Sequence, residues 1–97
     1  MTRLAKKVAV VTGGAMGIGK AACRMMAREG ASVAVTDISD EDGRKVAQEI
    51  QNEGGTAEFW HMDTSQISEV GSVFSDIAGQ FGSIDVLVNN AGISGPN

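Results

Sequence analysis

At 97 residues the chain has room for one small domain, and its 42% hydrophobic and 21% charged content is that of a folded soluble protein. A net charge of −4 and a pI near 4.7 argue against a nucleic-acid partner, which needs a basic face. No apolar run approaches the roughly 18 residues that span a bilayer, so no membrane partner is expected, and the one cysteine, Cys23, excludes an internal disulfide and suits a reducing cytoplasm.

Lys6 to Thr12 is predicted as the first strand. Its core, Val8-Ala9-Val10-Val11, is continuous rather than alternating, the pattern of a strand covered on both faces in a parallel sheet. A glycine turn follows, then a helix from Ile18 to Glu29. Ile18, Ala22, Met25 and Met26 are expected on its buried face, with Gly30 as a left-handed stop. Ser32 to Asp37 is the second strand. Asp40 is the expected N-cap of a second helix, with Glu41 and Asp42 in its favourable first turn. That helix runs to Glu53 on an apolar stripe of Val46, Ala47 and Ile50, and Gly54-Gly55 ends it.

Thr56 to Met62 reads as the third strand. A third helix spans Gln66 to Phe81, capped by Thr64 or Ser65. Ile67, Val70, Phe74, Ile77 and Phe81 recur at helical spacing. Gly71 and Gly79 weaken it by about 1 kcal/mol each relative to alanine. Ile84 to Asn89 is the fourth strand. The order β-α-β-α-β-α-β implies parallel strands joined by right-handed crossovers. The doubly wound rule then gives the spatial order 3-2-1-4, with a ligand crevice between the carboxyl ends of the first and fourth strands.

The motifs converge on that crevice. The turn Thr12-Gly13-Gly14-Ala15-Met16-Gly17-Ile18-Gly19 joins a buried strand to a helix start. The helix start offers unpaired N–H groups and partial positive charge to a pyrophosphate, and glycine lets the backbone approach closely. The spacing Gly13-x-x-x-Gly17-x-Gly19 departs from the usual dinucleotide fingerprint. Taken alone it is also compatible with a tight strand–helix turn that binds nothing. Asp37 ends the second strand, where a carboxylate can accept hydrogen bonds from ribose hydroxyls and repel a 2′-phosphate. Its alternative role is to cap the next turn. Methionine at position 16 places no cation there, so both residues favour NAD over NADP. Asp63 ends the third strand and suits either a hydrogen bond to the adenine amino group or capping of the third helix. Thr64 could add a backbone N–H. Asn89-Asn90-Ala91-Gly92 ends the fourth strand, where asparagine can tie strand ends together and small residues leave space for a ribose. The alternative is a turn built of turn-favouring residues. Cys23 is expected to pack as a small apolar group. His61, the only histidine, is expected on the strand surface or in support behind the site, and with one histidine no metal site is expected.

Thr12 to Gly19, Asp37, Asp63 and Asn89 to Gly92, in this order and spacing, resemble the short-chain dehydrogenase/reductase family along the whole chain. The resemblance implies a Rossmann fold, a nicotinamide cofactor and hydride transfer between an alcohol and a ketone. It places Gly13, Gly17, Ile18 and Gly19 at the pyrophosphate turn, and Asp37 on the ribose with Ile38 beside the adenine; Met16, within the turn, is counted with the cofactor-binding residues. Asp63 and Thr64 fall at the adenine ring, and Asn90, Ala91 and Gly92 at the nicotinamide ribose. It also implies dimers or tetramers. The family's serine and Tyr-x-x-x-Lys pair have no counterpart here, since the chain has no tyrosine. No residue is therefore assigned as catalytic. Residues 1–97 are expected to be the N-terminal part of a single NAD(P)-binding domain, inactive without the missing half. The fourth strand would be a bare edge and the helix layers unbalanced. A stand-alone NAD-binding or interaction module without catalysis is the alternative. A methyltransferase-like domain would want an acidic residue where Thr12 stands.

Overall fold

The computed structural model describes residues 3–90. The elements are β1 (Val8–Thr12), α1 (Gly17–Arg28), β2 (Ser32–Asp37), α2 (Asp40–Asn52), β3 (Thr56–His61), α3 (Ile67–Phe81) and β4 (Val86–Asn89). The four strands are parallel, as helical crossovers require, and ordered β3-β2-β1-β4, the order expected from the doubly wound rule. β1 is central. It pairs Val10 with Ala34 on one side and with Leu87 on the other.

Strand alternation divides the core into two layers. Ala9, Val11, Val33, Val35 and Ala57 point to one face and pack against Cys23 of α1 and Val46, Ala47 and Ile50 of α2. Val8, Val10 and Ala34 point to the other and pack against Val73 and Ile77 of α3. All five residues of β1 are buried, so its continuous apolar run reflects cover on both faces. Two helices lie on one face and one on the other. Among the described residues β4 pairs with β1 alone, and Leu87 is 52% exposed on it.

Several local expectations shift. β1 begins at Val8 and β4 at Val86, because Asp85 ends the preceding turn. Asp85 Oδ2 accepts the Val8 N–H at 2.9 Å, and its own N–H donates to the Val8 carbonyl at 2.8 Å. The buried face of α1 is Gly19, Ala22, Cys23 and Met26, while Ile18 and Met25 are 73% and 57% exposed. The helix start sits so close to the glycine turn that only Gly19 fits beneath it, and this rotation carries positions 18 and 25 outward. The N-cap of α2 is Ser39 rather than Asp40. The Ser39 carbonyl accepts the first helical bond, from Gly43 N–H at 2.9 Å, and its hydroxyl donates to Asp42. The N-cap of α3 is Gln66 rather than Thr64 or Ser65, since its carbonyl accepts from Val70 N–H at 3.0 Å. Ile67 is 88% exposed, and Val70 is the first α3 residue packed on the sheet. Trp60 meets Phe81 edge to face at 5.8 Å, which joins β3 to α3.

Candidate functional site

The carboxyl ends of all four strands open into a crevice of about 370 Å³, within the range of small-molecule sites. Gly13, Met16, Asp37, Ile38, Met62, Asp63, Thr64 and Asn90 line it. Residues from after β1, β2, β3 and β4 thus meet where the doubly wound topology places a ligand.

The glycine turn is held from three sides. Gly13 and Gly17 take positive φ of 63° and 57°, a region open to glycine. Gly14 N–H donates to the Thr36 carbonyl at 2.9 Å, which ties the turn to the end of β2. The Asn90 side-chain amide donates to the Gly13 carbonyl at 3.1 Å. A Cβ on Gly19 would stand 2.0 Å from that same carbonyl oxygen. Gly13, Gly19 and Asn90, separated by up to 77 positions in the chain, therefore form one packed unit. Thr12 and Asn89 repeat the tie between strand ends, with Thr12 Oγ1 3.2 Å from Asn89 Oδ1.

Asp37 is held by the backbone on both sides. One carboxylate oxygen accepts the Ala15 N–H at 3.1 Å and the other the Ser39 N–H at 2.9 Å. It thus caps the next turn, as one reading of the sequence has it, and still lines the crevice. Asp63 is similar. Its Oδ1 accepts from the backbone and the hydroxyl of Ser65 at 3.0 and 2.7 Å, and these bonds hold its carboxyl below the usual range. Asp63 N–H donates to Glu69 of α3 at 2.6 Å. Met16 and Ile38 are 66% and 63% exposed at the rim, apolar surface suited to the faces of a planar ring.

Gly17, Ile18 and Gly19 do not line the crevice. Gly17 and Gly19 shape the turn, and Ile18 projects from α1. Ala91 and Gly92 lie outside the described residues. Met62 was not expected. It is 2% exposed, packs in the α3-side core and forms part of the crevice wall. The signal for it is its place between β3 and Asp63, directly at a strand's carboxyl end. Cys23 is fully buried, with its thiol pushed up to about 12, first by burial and then by the charge of Asp37. Among the described residues no cluster of three or more metal-ligating side chains occurs.

Residues 7–97 match the family model described as short chain dehydrogenase. A cyclopentanol dehydrogenase of Comamonas testosteroni is 42% identical over 93 residues, covering 96% of this chain and 37% of that protein. Momilactone A synthase of Oryza sativa subsp. japonica is 39% identical over 94 residues, covering 97% of this chain and 34% of the relative. Among solved structures, a hydroxysteroid dehydrogenase from Escherichia coli superposes with a TM-score of 0.92 at 38% identity, covering 99% of this chain and 41% of that one. The chain spans about two fifths or less of the length of these relatives.

Proposed function

The chain belongs to the short chain dehydrogenase family, and from that membership we propose that it supplies the dinucleotide-binding part of an NAD-dependent oxidoreductase. The reaction is hydride transfer between a small-molecule alcohol and a ketone, and residues 1–97 are the N-terminal part of a single cofactor-binding domain. The observation that carries this reading is the convergence of Gly13, Asp37, Asp63 and Asn90 on one crevice at the sheet's carboxyl edge.

The residues fit a dinucleotide. Gly19 packs directly on the Gly13 carbonyl, where a Cβ would clash, and this close approach fixes the shape of the turn at the start of α1, where a helix N-terminus suits a pyrophosphate. Asp37, fixed by two backbone N–H groups, presents its remaining acceptor capacity to the ribose hydroxyls. Asp63 and Thr64 meet the adenine edge, and Ile38 lies against its face. Asn90 holds the turn's geometry through Gly13. The bound cofactor supplies the hydride chemistry.

Preference for NAD over NADP follows from charge. A 2′-phosphate on the ribose held by Asp37 would meet that carboxylate without an offsetting cation from Met16. Lys20 and Lys45 occupy a neighbouring hollow beyond Met16, but they share it with Asp42, and Lys20 pairs with Glu49 at 3.7 Å. The 97 residues hold no tyrosine. The family resemblance assigns proton transfer at the substrate oxygen to a Tyr-x-x-x-Lys pair that these residues do not include, so the active unit is the complete protein, a cytoplasmic homo-oligomer. The test is titration of the complete protein with NADH and NADPH. Tighter binding of NADH is expected, and equal or reversed preference refutes the role given to Asp37.

A further inference from the structure

Two adjoining walls form the far side of the crevice. One is Asp37-Ile38 at the end of β2, which leads through Ser39 into Asp40 at the first residue of α2. The other is Met62-Asp63-Thr64, which follows His61 at the last residue of β3. The backbone joins these walls, because β2 and β3 pair up to Asp37 and His61 and Met62 N–H donates to the Asp37 carbonyl at 3.0 Å. Side chains join them again just behind. His61 Nδ1 lies 2.6 Å from Asp40 Oδ1, with each side chain about half exposed. We propose that this pair is a pH-dependent clasp on the crevice, in which His61 is a positioning residue that sets the spacing of the two walls through Asp40 and touches no ligand itself.

The groups around His61 favour the charged clasp from each neighbouring element. Asp40 faces it from α2, Glu69 from α3 and Asp63 from the turn after its own strand. The hydrogen bond to Asp40 is the largest influence, and with the three negative charges it holds the imidazole above its ordinary 6.5. Glu69 and Asp63 are themselves committed to the second wall through the Asp63 N–H and Ser65. The protonated ring donates to the ionised Asp40 carboxylate, and on deprotonation the charge-assisted part of that bond is lost. The clasp is therefore complete below the ordinary histidine value and relaxes as pH rises through the raised one.

This inference rests on the reading that the adenosine end of a dinucleotide lies between the two walls. ADP-ribose is the probe, because its pyrophosphate charge stays constant from about pH 6 to about pH 9. Its affinity for the complete protein is measured by calorimetry across that range in the wild type, in His61→Gln and in Asp40→Asn. Wild-type affinity is expected to fall about two- to five-fold towards the alkaline end, the effect of one exposed ion pair. Both variants are expected to lose this dependence. Asp40→Asn retains the histidine, so its flat profile separates a clasp from plain attraction between imidazolium and pyrophosphate. In the same variant the NMR titration of the His61 ring moves down towards 6.5. A wild-type profile without pH dependence, or one that persists in either variant, overturns the clasp and leaves the nucleotide site standing. Failure of ADP-ribose to bind at any pH overturns the nucleotide reading and the clasp with it.

Discussion

Gly19→Ala tests the packing that shapes the glycine turn. The new Cβ would stand 2.0 Å from the Gly13 carbonyl oxygen and 2.9 Å from the side-chain nitrogen of Asn90. The first contact is with backbone, so relief requires the start of α1 to move away from the turn. Overpacking of this kind costs about 1–3 kcal/mol. Loss of the Asn90–Gly13 hydrogen bond adds about 0.5–1.5 kcal/mol, and the better helix propensity of alanine returns about 1 kcal/mol. The expected net loss is about 0.5–3.5 kcal/mol of stability. Because the same movement displaces the N–H groups proposed to face the pyrophosphate, NADH affinity should fall roughly tenfold or more, about 1.4 kcal/mol in binding free energy. Urea denaturation and NADH titration of the complete protein measure both. Gly71→Ala is the control. It lies exposed within α3 with nothing within 4 Å of the new Cβ, and alanine there should stabilise by about 0.5–1 kcal/mol. A Gly19→Ala protein with wild-type midpoint and wild-type NADH affinity would refute the reasoning, as would equal destabilisation by Gly71→Ala.

Asp37→Asn removes the charge proposed to meet the ribose while keeping one of the two acceptors that the Ala15 and Ser39 N–H groups use. The ratio of NADPH to NADH dissociation constants should shrink about tenfold, as expected for a hydrogen bond to a charged group, and an unchanged ratio assigns the discrimination elsewhere. Cys23, fully buried and with its thiol pushed up to about 12, should resist iodoacetamide in the native protein at about pH 8 and react on denaturation, as followed by intact mass. Asp85 is held below the ordinary carboxylate range, first by the Val8 N–H and then by Ser83. Its stabilising contribution is present above the unfolded value and lost as pH falls through the lowered one. Asp85→Asn should therefore flatten the acid limb of stability in urea titrations below about pH 4, and an acid limb as steep as the wild type's would refute the assignment.

The arrangement of strands was legible from local signals. Val8 to Val11, Val33 to Val35 and Val86 to Val88 are short apolar runs, and helical periodicity separates them. Parallel strands with right-handed crossovers leave few topologies, and the doubly wound arrangement picks out from them the observed order β3-β2-β1-β4. The site was legible for a related reason. Residues at the carboxyl ends of parallel strands share one edge of the sheet, so Gly13, Asp37, Asp63 and Asn90 could be placed together from their positions in the chain. Where the sequence misled, a contact between distant residues decided the outcome. Positions 18, 22, 25 and 26 satisfy a helical stripe about as well as 19, 22, 23 and 26 do. Only the close approach of Gly19 to Gly13 selects the second and turns Ile18 outward. Asp40 and Ser39 are about equal N-caps by composition, yet Asp40 lies within the first turn of α2 and its side chain meets His61, 21 positions away.

What the sequence by itself determined was the order and type of the elements, the parallel sheet and the edge at which its polar residues gather. Those depend on periodicity, turn chemistry and the handedness of connections, all of which act over short stretches. The tertiary structure alone decided which face of α1 is buried, that Met62 forms part of the crevice wall, that Asp37 is fixed by Ala15 and Ser39, and that His61 reaches Asp40. Each of these depends on the distance between groups from different elements, which is settled only when the helices pack on the sheet.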